Sequence, residues 1–136
     1  MISVNGQKKL ATLQREFSEK FEYLFLAFIV TEDHHKKVNV RSLDTNERIA
    51  DIRVKFSNNE LSLNGRTMVK NMEKKFLEDL GIACQIAVQN YSGHKLYFPI
   101  GDFFNQLSLT KANEWAQTNG CTKIEDVKAL SGKTVF

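Results

Sequence analysis

The residues best suited to metal chemistry form one short cluster. His34 and His35 follow Glu32 and Asp33, and imidazole and carboxylate groups are both common zinc ligands. Adjacent side chains point in different directions, so a complete site needs ligands from elsewhere, and the only other histidine is His94. We therefore predict no metal site and no cofactor. We interpret His34 and His35 as an exposed loop pair available for contact with a partner.

The two cysteines are the next candidates for chemistry. Cys84 lies inside an apolar run, where a buried and inert thiol is the usual outcome. Cys121 is expected at the start of a helix, where the pKa of a thiol can fall. No glycine-rich oxyanion loop surrounds it, so we favour a structural role and predict no catalytic residue. Two cysteines imply no disulfide framework, and the N-terminal sequence has no signal-peptide pattern, which favours the cytoplasm.

Two Asn-Gly dipeptides, at positions 5–6 and 64–65, each precede a predicted helix. Free N–H groups at the start of a helix can hold an anion, and Lys8, Lys9 and Arg66 add positive charge nearby. Simple turns explain the same residues. A small enzyme with an anion site at the helix starts is therefore the third of three functional hypotheses.

The charge balance gives a weak indication of an anionic partner. The chain has 19 basic and 16 acidic residues, a formal charge of +3, and the two signs are interspersed. Nucleic-acid-binding domains usually show clustered Lys and Arg and a higher isoelectric point. Nucleic-acid binding is thus the second hypothesis. Its predicted basic surface comprises Lys8, Lys9, Lys36, Lys37, Arg41 and Arg66.

Aromatic residues suggest a third kind of contact. An RNA-binding sheet stacks bases on exposed aromatic side chains, but the segment from Tyr23 to Val30 is apolar at nearly every position, which predicts burial on both faces. Phe103 and Phe104 are different, because they fall in a predicted connection and would form a contact site if exposed. The leading hypothesis is a non-enzymatic, intracellular protein-interaction or regulatory module with an unknown protein partner.

The elements that position these residues come from an internal duplication. The segment Ile2–Gly6 matches Leu61–Gly65, and the following positions continue in the same register. Apolar residues then recur in both copies at the spacing i, i+3, i+7, i+11, which predicts a helix with one buried stripe. The stripes are Leu10, Leu13, Phe17 and Phe21 in the first copy and Val69, Met72, Phe76 and Leu80 in the second.

Each copy therefore reads as strand, tight turn, helix and strand. A helix that joins two strands favours their parallel pairing through a right-handed crossover. For the very short first strand, fraying and antiparallel pairing are the open alternatives. We predict an α+β fold in which duplicated β-α-β units form a ferredoxin-like, split βαβ mixed sheet with the helices on one face. The alternating segment from Arg48 to Phe56 predicts a further strand, which forms a hairpin with Leu61–Leu63.

The C-terminal sequence predicts two short helices. The first spans Leu109 to Thr118, and the second begins at a capping-box pattern starting with Thr122. With 136 residues, the chain has the size of a single domain. Its predicted parts are the first copy at 1–31, a hairpin and the second copy at 48–90, and the C-terminal helices at 107–131.

Two expectations concern assembly. The longest apolar run is far shorter than the ~20 residues that a membrane-spanning helix needs, so no membrane association is predicted. A sheet with exposed edges can pair with another chain. We therefore expect a homodimer.

The helix motif resembles a group of small bacterial α+β proteins that share a duplicated helix-strand segment and have no known activity. The resemblance covers about residues 1 to 100 and implies the architecture and a bacterial origin, without a function. Its matching residues are Leu10, Thr12, Leu13, Phe17 and Phe21, then Val69, Met72, Glu73, Phe76, Leu80, Gly81 and Ile82.

Overall fold

The computed structural model describes residues 2–32, 37–39, 48–49, 60–90, 96–99 and 102–125. The fold is α+β, as predicted. The strands are β1 (Ile2–Val4), β2 (Phe25–Glu32), β3 (Lys37–Asn39), β4 (Leu61–Leu63), β5 (Ala83–Asn90), β6 (Leu96–Tyr97) and β7 (Cys121–Thr122). The helices are α1 (Leu10–Lys20), α2 (Val69–Lys75, continued by a π-helical segment Phe76–Leu80), α3 (Asp102–Asn105) and α4 (Leu109–Thr118).

Both predicted helical stripes are buried. All eight stripe residues have at most 3% of their surface exposed and belong to one apolar cluster. Leu24, Leu26 and Phe28 of the first copy join the same cluster, as do Ile82, Cys84 and Ile86 of the second. The two helices and one side of the central strands therefore share a single core, which buries the large side chains of both copies.

The strand pairing differs from the parallel pairing that the sequence predicts within each copy. β1 pairs antiparallel with β4, and β2 pairs antiparallel with β5. The larger sheet has the order β3-β2-β5-β6, and β7 also pairs with β5. Lengths explain the choice, because three-residue β1 and β4 match each other and eight-residue β2 and β5 do likewise. A ferredoxin-like arrangement is not confirmed.

The pairing relates equivalent strands of the two copies. In the short sheet, the register centres on Ser3 opposite Ser62, which are matching positions of the duplicated sequence. In the larger sheet, it centres on Ala27 opposite Gln85. An antiparallel pair of equivalent strands has local two-fold symmetry. The two copies therefore complete each other's sheets.

The two copies also make matching contacts between the residue before their helix and a later segment of the chain. Lys9 forms an isolated antiparallel bridge with Arg48, as Met68 does with Ser108. The Ile49 N–H then donates to the Lys8 carbonyl at 3.1 Å, whereas the second copy has the equivalent bond from Leu109. Ile49 is helical and fully buried. The predicted strand from Arg48 to Phe56 is not found at Ile49, and positions 50–59 lie outside the described residues.

The C-terminal region requires a correction. α4 confirms the first predicted helix, but Thr122 belongs to β7 and does not begin a second one. Cys121 is correspondingly in a strand, paired with Asn90, and not at a helix N-terminus. Residues 121 and 122 therefore form backbone pairs with β5 in place of the helix start that the capping-box pattern predicts. The rest of the predicted second helix, from residue 126, lies outside the described ranges.

A smaller cluster covers the opposite side of the central strands. It contains Phe25, Ala27, Ala87, Leu96 and Ile124, so β2 and β5 are buried on both sides, as their continuous apolar sequence predicts. Among the parts of the chain that the structure describes, no helix is long and apolar enough to cross a membrane.

Candidate interaction site

The two Asn-Gly turns have the same local geometry. The side chain of Asn5 accepts the Gln7 N–H at 2.9 Å, and that of Asn64 accepts the Arg66 N–H at 2.8 Å. Such a side-chain turn replaces backbone pairing where the chain leaves a strand. These N–H groups are consequently occupied within the turns.

The second turn is tied to the segment that precedes α4. The Val69 N–H donates to the Leu107 carbonyl at 2.9 Å, and the Leu109 N–H donates to Thr67 at 2.8 Å. Ser108 accepts the Lys111 N–H through its side chain at 3.2 Å, which caps α4. Most of the N–H groups that an anion could use at these two helix starts therefore already bind protein atoms.

A close approach of two backbones fixes the same junction. The Thr110 N–H donates to the Gly65 carbonyl at 3.1 Å, and a Cβ atom on Gly65 would overlap the Thr110 hydroxyl. Glycine leaves room for the Thr110 hydroxyl in this position, which a larger residue would displace. Beside the contact lies an open groove of about 770 Å³. The groove is lined by Asn64, Gly65, Arg66, Ser108, Thr110 and Lys111.

Exposed cations lie at the groove and along α2, and Arg66 and Lys111 line the groove itself. These exposed cations are Arg66, Lys70, Lys74, Lys75 and Lys111. In the first copy, the positions that match the first four hold Gln7, Ala11, Arg15 and Glu16. Except at Arg15, the cation positions of the second copy are therefore not repeated in the first, whose own cations are Lys8, Lys9, Arg15 and Lys20.

The adjacent phenylalanines of α3 have opposite environments. Phe104 is 4% exposed and packs edge-on against Trp115, with ring centroids 5.3 Å apart. Phe103 is 66% exposed. The sequence proposes both as contact residues, but the structure makes Phe104 a core anchor and leaves Phe103 on the surface. The helix α3 packs against α2 and ends three residues before Ser108, which lines the groove.

The predicted basic surface is not brought together as a whole. The Lys8 ammonium contacts the Glu16 carboxylate at 2.6 Å and the Ser3 carbonyl at 2.9 Å. Lys8 and Lys9 follow the Val4 end of the short sheet, whereas Arg66 follows the opposite end. His34, His35, Lys36 and Arg41 lie outside the described residues. Lys37 is in β3, whose side chains are not described.

The cysteines are both buried. Burial, reinforced by the nearby Glu73 carboxylate, raises the pKa of the Cys84 thiol well above its usual value, which agrees with the predicted inert thiol. The Cys121 sulfur lies 3.7 Å from the Tyr97 hydroxyl. Burial, with a contribution from Cys121, raises the pKa of Tyr97 to about 12. Within the described ranges, no group of His, Cys, Asp and Glu is arranged to hold a metal ion.

Two polar residues at equivalent positions of α1 and α2 were not identified from the sequence as candidate site residues. Gln14 of α1 donates through Nε2 to the Leu26 carbonyl at 3.0 Å, and Glu73, its counterpart in α2, accepts the Ile86 N–H. Burial raises the pKa of the Glu73 carboxyl to about 7, with the Ile86 bond opposing the shift. Their position in the sequence could have identified them. Each directly follows a residue of the buried stripe, so its side chain should lean toward the sheet.

Comparison of the chain with known protein families, with curated proteins and with solved structures finds no match. The functional argument therefore depends on the geometry of the junction between α2, α3 and α4. We use the term junction face for Arg66, Lys70, Phe103 and Lys111 together with the groove that Arg66 and Lys111 line.

Proposed function

We propose that the protein is a non-enzymatic protein-interaction module that binds its partner through the junction face. The observation that carries this proposal is Phe103, which is 66% exposed although its neighbour Phe104 is anchored in the core. An exposed aromatic ring offers a large apolar area that becomes favourable when a partner covers it.

The setting of Phe103 favours binding. The buried Phe104–Trp115 contact holds α3 in place, and the bonds across residues 65–69 and 107–110 hold the groove. A surface that is already ordered loses little entropy when a partner binds. Phe103 therefore has the character of an interface anchor surrounded by polar residues.

The non-enzymatic part of the proposal is supported by the positions of the perturbed ionisable groups. Glu73 and Cys84 lie between α2 and β5, and Tyr97 lies beside Cys121. None of these three lines the groove. In enzymes, groups with shifted pKa values usually converge in a cleft. Such convergence is not seen in the part of the chain that the structure describes.

A site-specific cross-linking experiment tests the proposal. A photo-reactive amino acid at position 103 should capture one partner in the cells that make the protein. The purified partner should then bind the F103A variant at least about tenfold more weakly than the unsubstituted protein, because a buried aromatic anchor contributes a large share of binding energy. Leu77, which is also exposed at 45% but lies in the π-helical segment, provides the matched control L77A.

Equal affinity of the F103A variant and the unsubstituted protein would contradict the proposed surface. Turnover of a small substrate by the purified protein, abolished by a substitution in the groove, would contradict the non-enzymatic assignment. Circular dichroism of F103A must match that of the unsubstituted protein, which is expected because the side chain is on the surface.

Nucleic-acid binding is the second candidate, and the cations at the groove and along α2 favour it. Five Lys and Arg side chains lie on or beside α2 and at the start of α4. If they contact phosphates, the protein should bind a polyanion column with a steep dependence on salt. The K70A variant should then elute at lower salt than R15A, since Arg15 is a first-copy cation 4.0 Å from Glu19. Identical elution would count against this candidate.

Three further proposals concern assembly, location and origin. We propose a cytoplasmic, bacterial protein that arose by duplication of a β-α-β unit and that forms a homodimer. Light scattering over a range of protein concentrations tests the last point. A constant monomer mass would contradict it.

A further inference from the structure

We infer that the junction face binds an acidic segment of a partner protein, with carboxylates on Arg66, Lys70 and Lys111 and an apolar side chain against Phe103. The inference depends on the proposed function and specifies the chemistry of its partner.

The charge of the junction face is the first support. Arg66 and Lys111 line the same groove, and Lys70 is an exposed residue in the first turn of α2. Neither Arg66 nor Lys70 has an ion-pair partner among the residues that the structure describes. Unpaired cations on a surface favour an anionic partner and accelerate its association.

The nearest acidic residue in this part of the chain does not neutralise the surface. Glu73 is the only carboxylic residue between Arg66 and Lys75, and it accepts the Ile86 N–H on β5. Its side chain therefore faces the sheet and is half-buried. On the outer side of α2, Lys74 lies 4.0 Å from Glu78, whereas Lys70 has no ion-pair partner among the described residues.

The chemistry of the groove favours carboxylates bound by side chains. The N–H groups of Val69, Leu109, Thr110 and Lys111 are all engaged with protein oxygens. Recognition must then come chiefly from the cationic side chains. The planar guanidinium of Arg66 can hold a carboxylate through two parallel hydrogen bonds, which a lysine cannot do.

Surrounding carboxylates favour a short acidic segment over a nucleic acid. Glu78 lies 4.0 Å from Lys74, and Glu114 lies 4.0 Å from Lys111. Asp102 is exposed beside Phe103. A long phosphate backbone would pass near these negative charges, and like charges at an interface disfavour the wrong partner. A peptide can instead place neutral or apolar residues there, including one against Phe103.

A designed peptide pair provides the test. The probe is a fluorescein-labelled peptide of about ten residues, in which Asp and Glu alternate with Ser and Gly around one central Leu. The control peptide has Asn and Gln in place of the acids. By fluorescence anisotropy at low salt, the acidic peptide should bind the 136-residue protein at least about tenfold more tightly than the control, and added salt should weaken its binding.

Matched variants locate the site. The R66Q/K111Q double variant should lose about tenfold or more in affinity for the acidic peptide, whereas R15Q should lose less than about twofold. Replacing the central Leu by Ser should weaken binding to the unsubstituted protein but not to F103A. All substituted side chains are exposed, and circular dichroism should confirm that each variant folds.

Three results would overturn the inference. They are equal binding of the two peptides, undiminished binding by R66Q/K111Q, and tighter binding of a single-stranded RNA of similar length that R66Q/K111Q abolishes. The proposed function is tested separately. If F103A loses the cross-linked partner while the acidic peptide fails to bind, the interaction module stands and only the acidic chemistry is wrong.

Discussion

Gln14 and Glu73 occupy equivalent positions but meet the sheet with different chemistry. Gln14 donates to a carbonyl of β2, whereas Glu73 accepts an N–H of β5. An ionised carboxylate is more costly to bury than an amide, because it loses more hydration. The second copy therefore carries a pH-dependent group where the first carries a neutral one.

The E73Q variant should be more stable than the unsubstituted protein at alkaline pH. Folding raises the pKa of Glu73 from 4.5 to about 7, so the folded state favours the protonated form. The stabilisation that comes from protonated Glu73 is fully present below pH 4.5 and is lost as the pH rises through about 7. After discounting for solvent screening at this half-exposed group, we expect a gain of about 1 kcal/mol for E73Q at alkaline pH.

Urea denaturation of both proteins at about pH 8 and about pH 5 measures the effect. The gain should shrink at the lower pH, where Glu73 is mostly protonated in the folded protein. The E78Q variant is the control, since Glu78 is exposed on the same helix. A pH-independent difference between E73Q and the unsubstituted protein would refute the role of Glu73 ionisation.

The end of the α2 helix shows how an element boundary is encoded. Gly81 has a φ of 73°, and the N–H groups of Gly81 and Ile82 donate back to Leu77 and Phe76 at 3.2 Å each. This is a left-handed glycine cap. In α1, the C-cap residue is instead Phe21, whose φ of −120° is not left-handed. The two copies thus enter their second strands through different connections.

The G81A variant should be destabilised by about 1 kcal/mol, because a Cβ atom makes the left-handed conformation unfavourable. Thermal denaturation followed by circular dichroism measures the loss. G81N should recover part of it, since asparagine tolerates this conformation better. If G81A and G81N are both as stable as the unsubstituted protein, the cap contributes nothing.

Periodicity was sufficient for the long elements and insufficient for the short ones. The stripes predicted α1 and α2, the two longest helical segments. β7 could not be predicted, because Thr122 carries a helix-capping pattern that pairing with Gln89 overrides. α3 has a single turn of sequence, too short for any period. The exposure of Phe103 depends on that turn.

At the scale of the whole molecule, stability depends on contacts between the copies. β1 finds its partner in β4 and β2 finds its partner in β5. The large buried side chains of both helices lie in one cluster. The sequence repeat predicted two matching units but did not predict that they pair with each other. The alternation of side chains along a strand shows which face is buried, but it does not identify the strand's partner.

A fragment of residues 1–59 should therefore not fold on its own. It keeps β3 but lacks β4, which pairs with β1, and β5, which pairs with β2. Its helix would leave Leu10, Leu13 and Phe17 without the second copy's part of their core. Circular dichroism should show no cooperative thermal transition for this fragment. Mixing it with residues 60–136 should restore a transition. Cooperative melting of 1–59 alone would show that the first copy is independent.

The pairing of β1 with β4 and of β2 with β5 also permits an exchange of halves between chains. Two molecules can trade their first copies and keep every described strand pair, so the exchanged dimer needs no new interface. The connection between the halves decides the outcome, because it sets the effective concentration at which a half meets its own partner. Shortening that connection favours the exchanged dimer, and lengthening it favours the closed monomer.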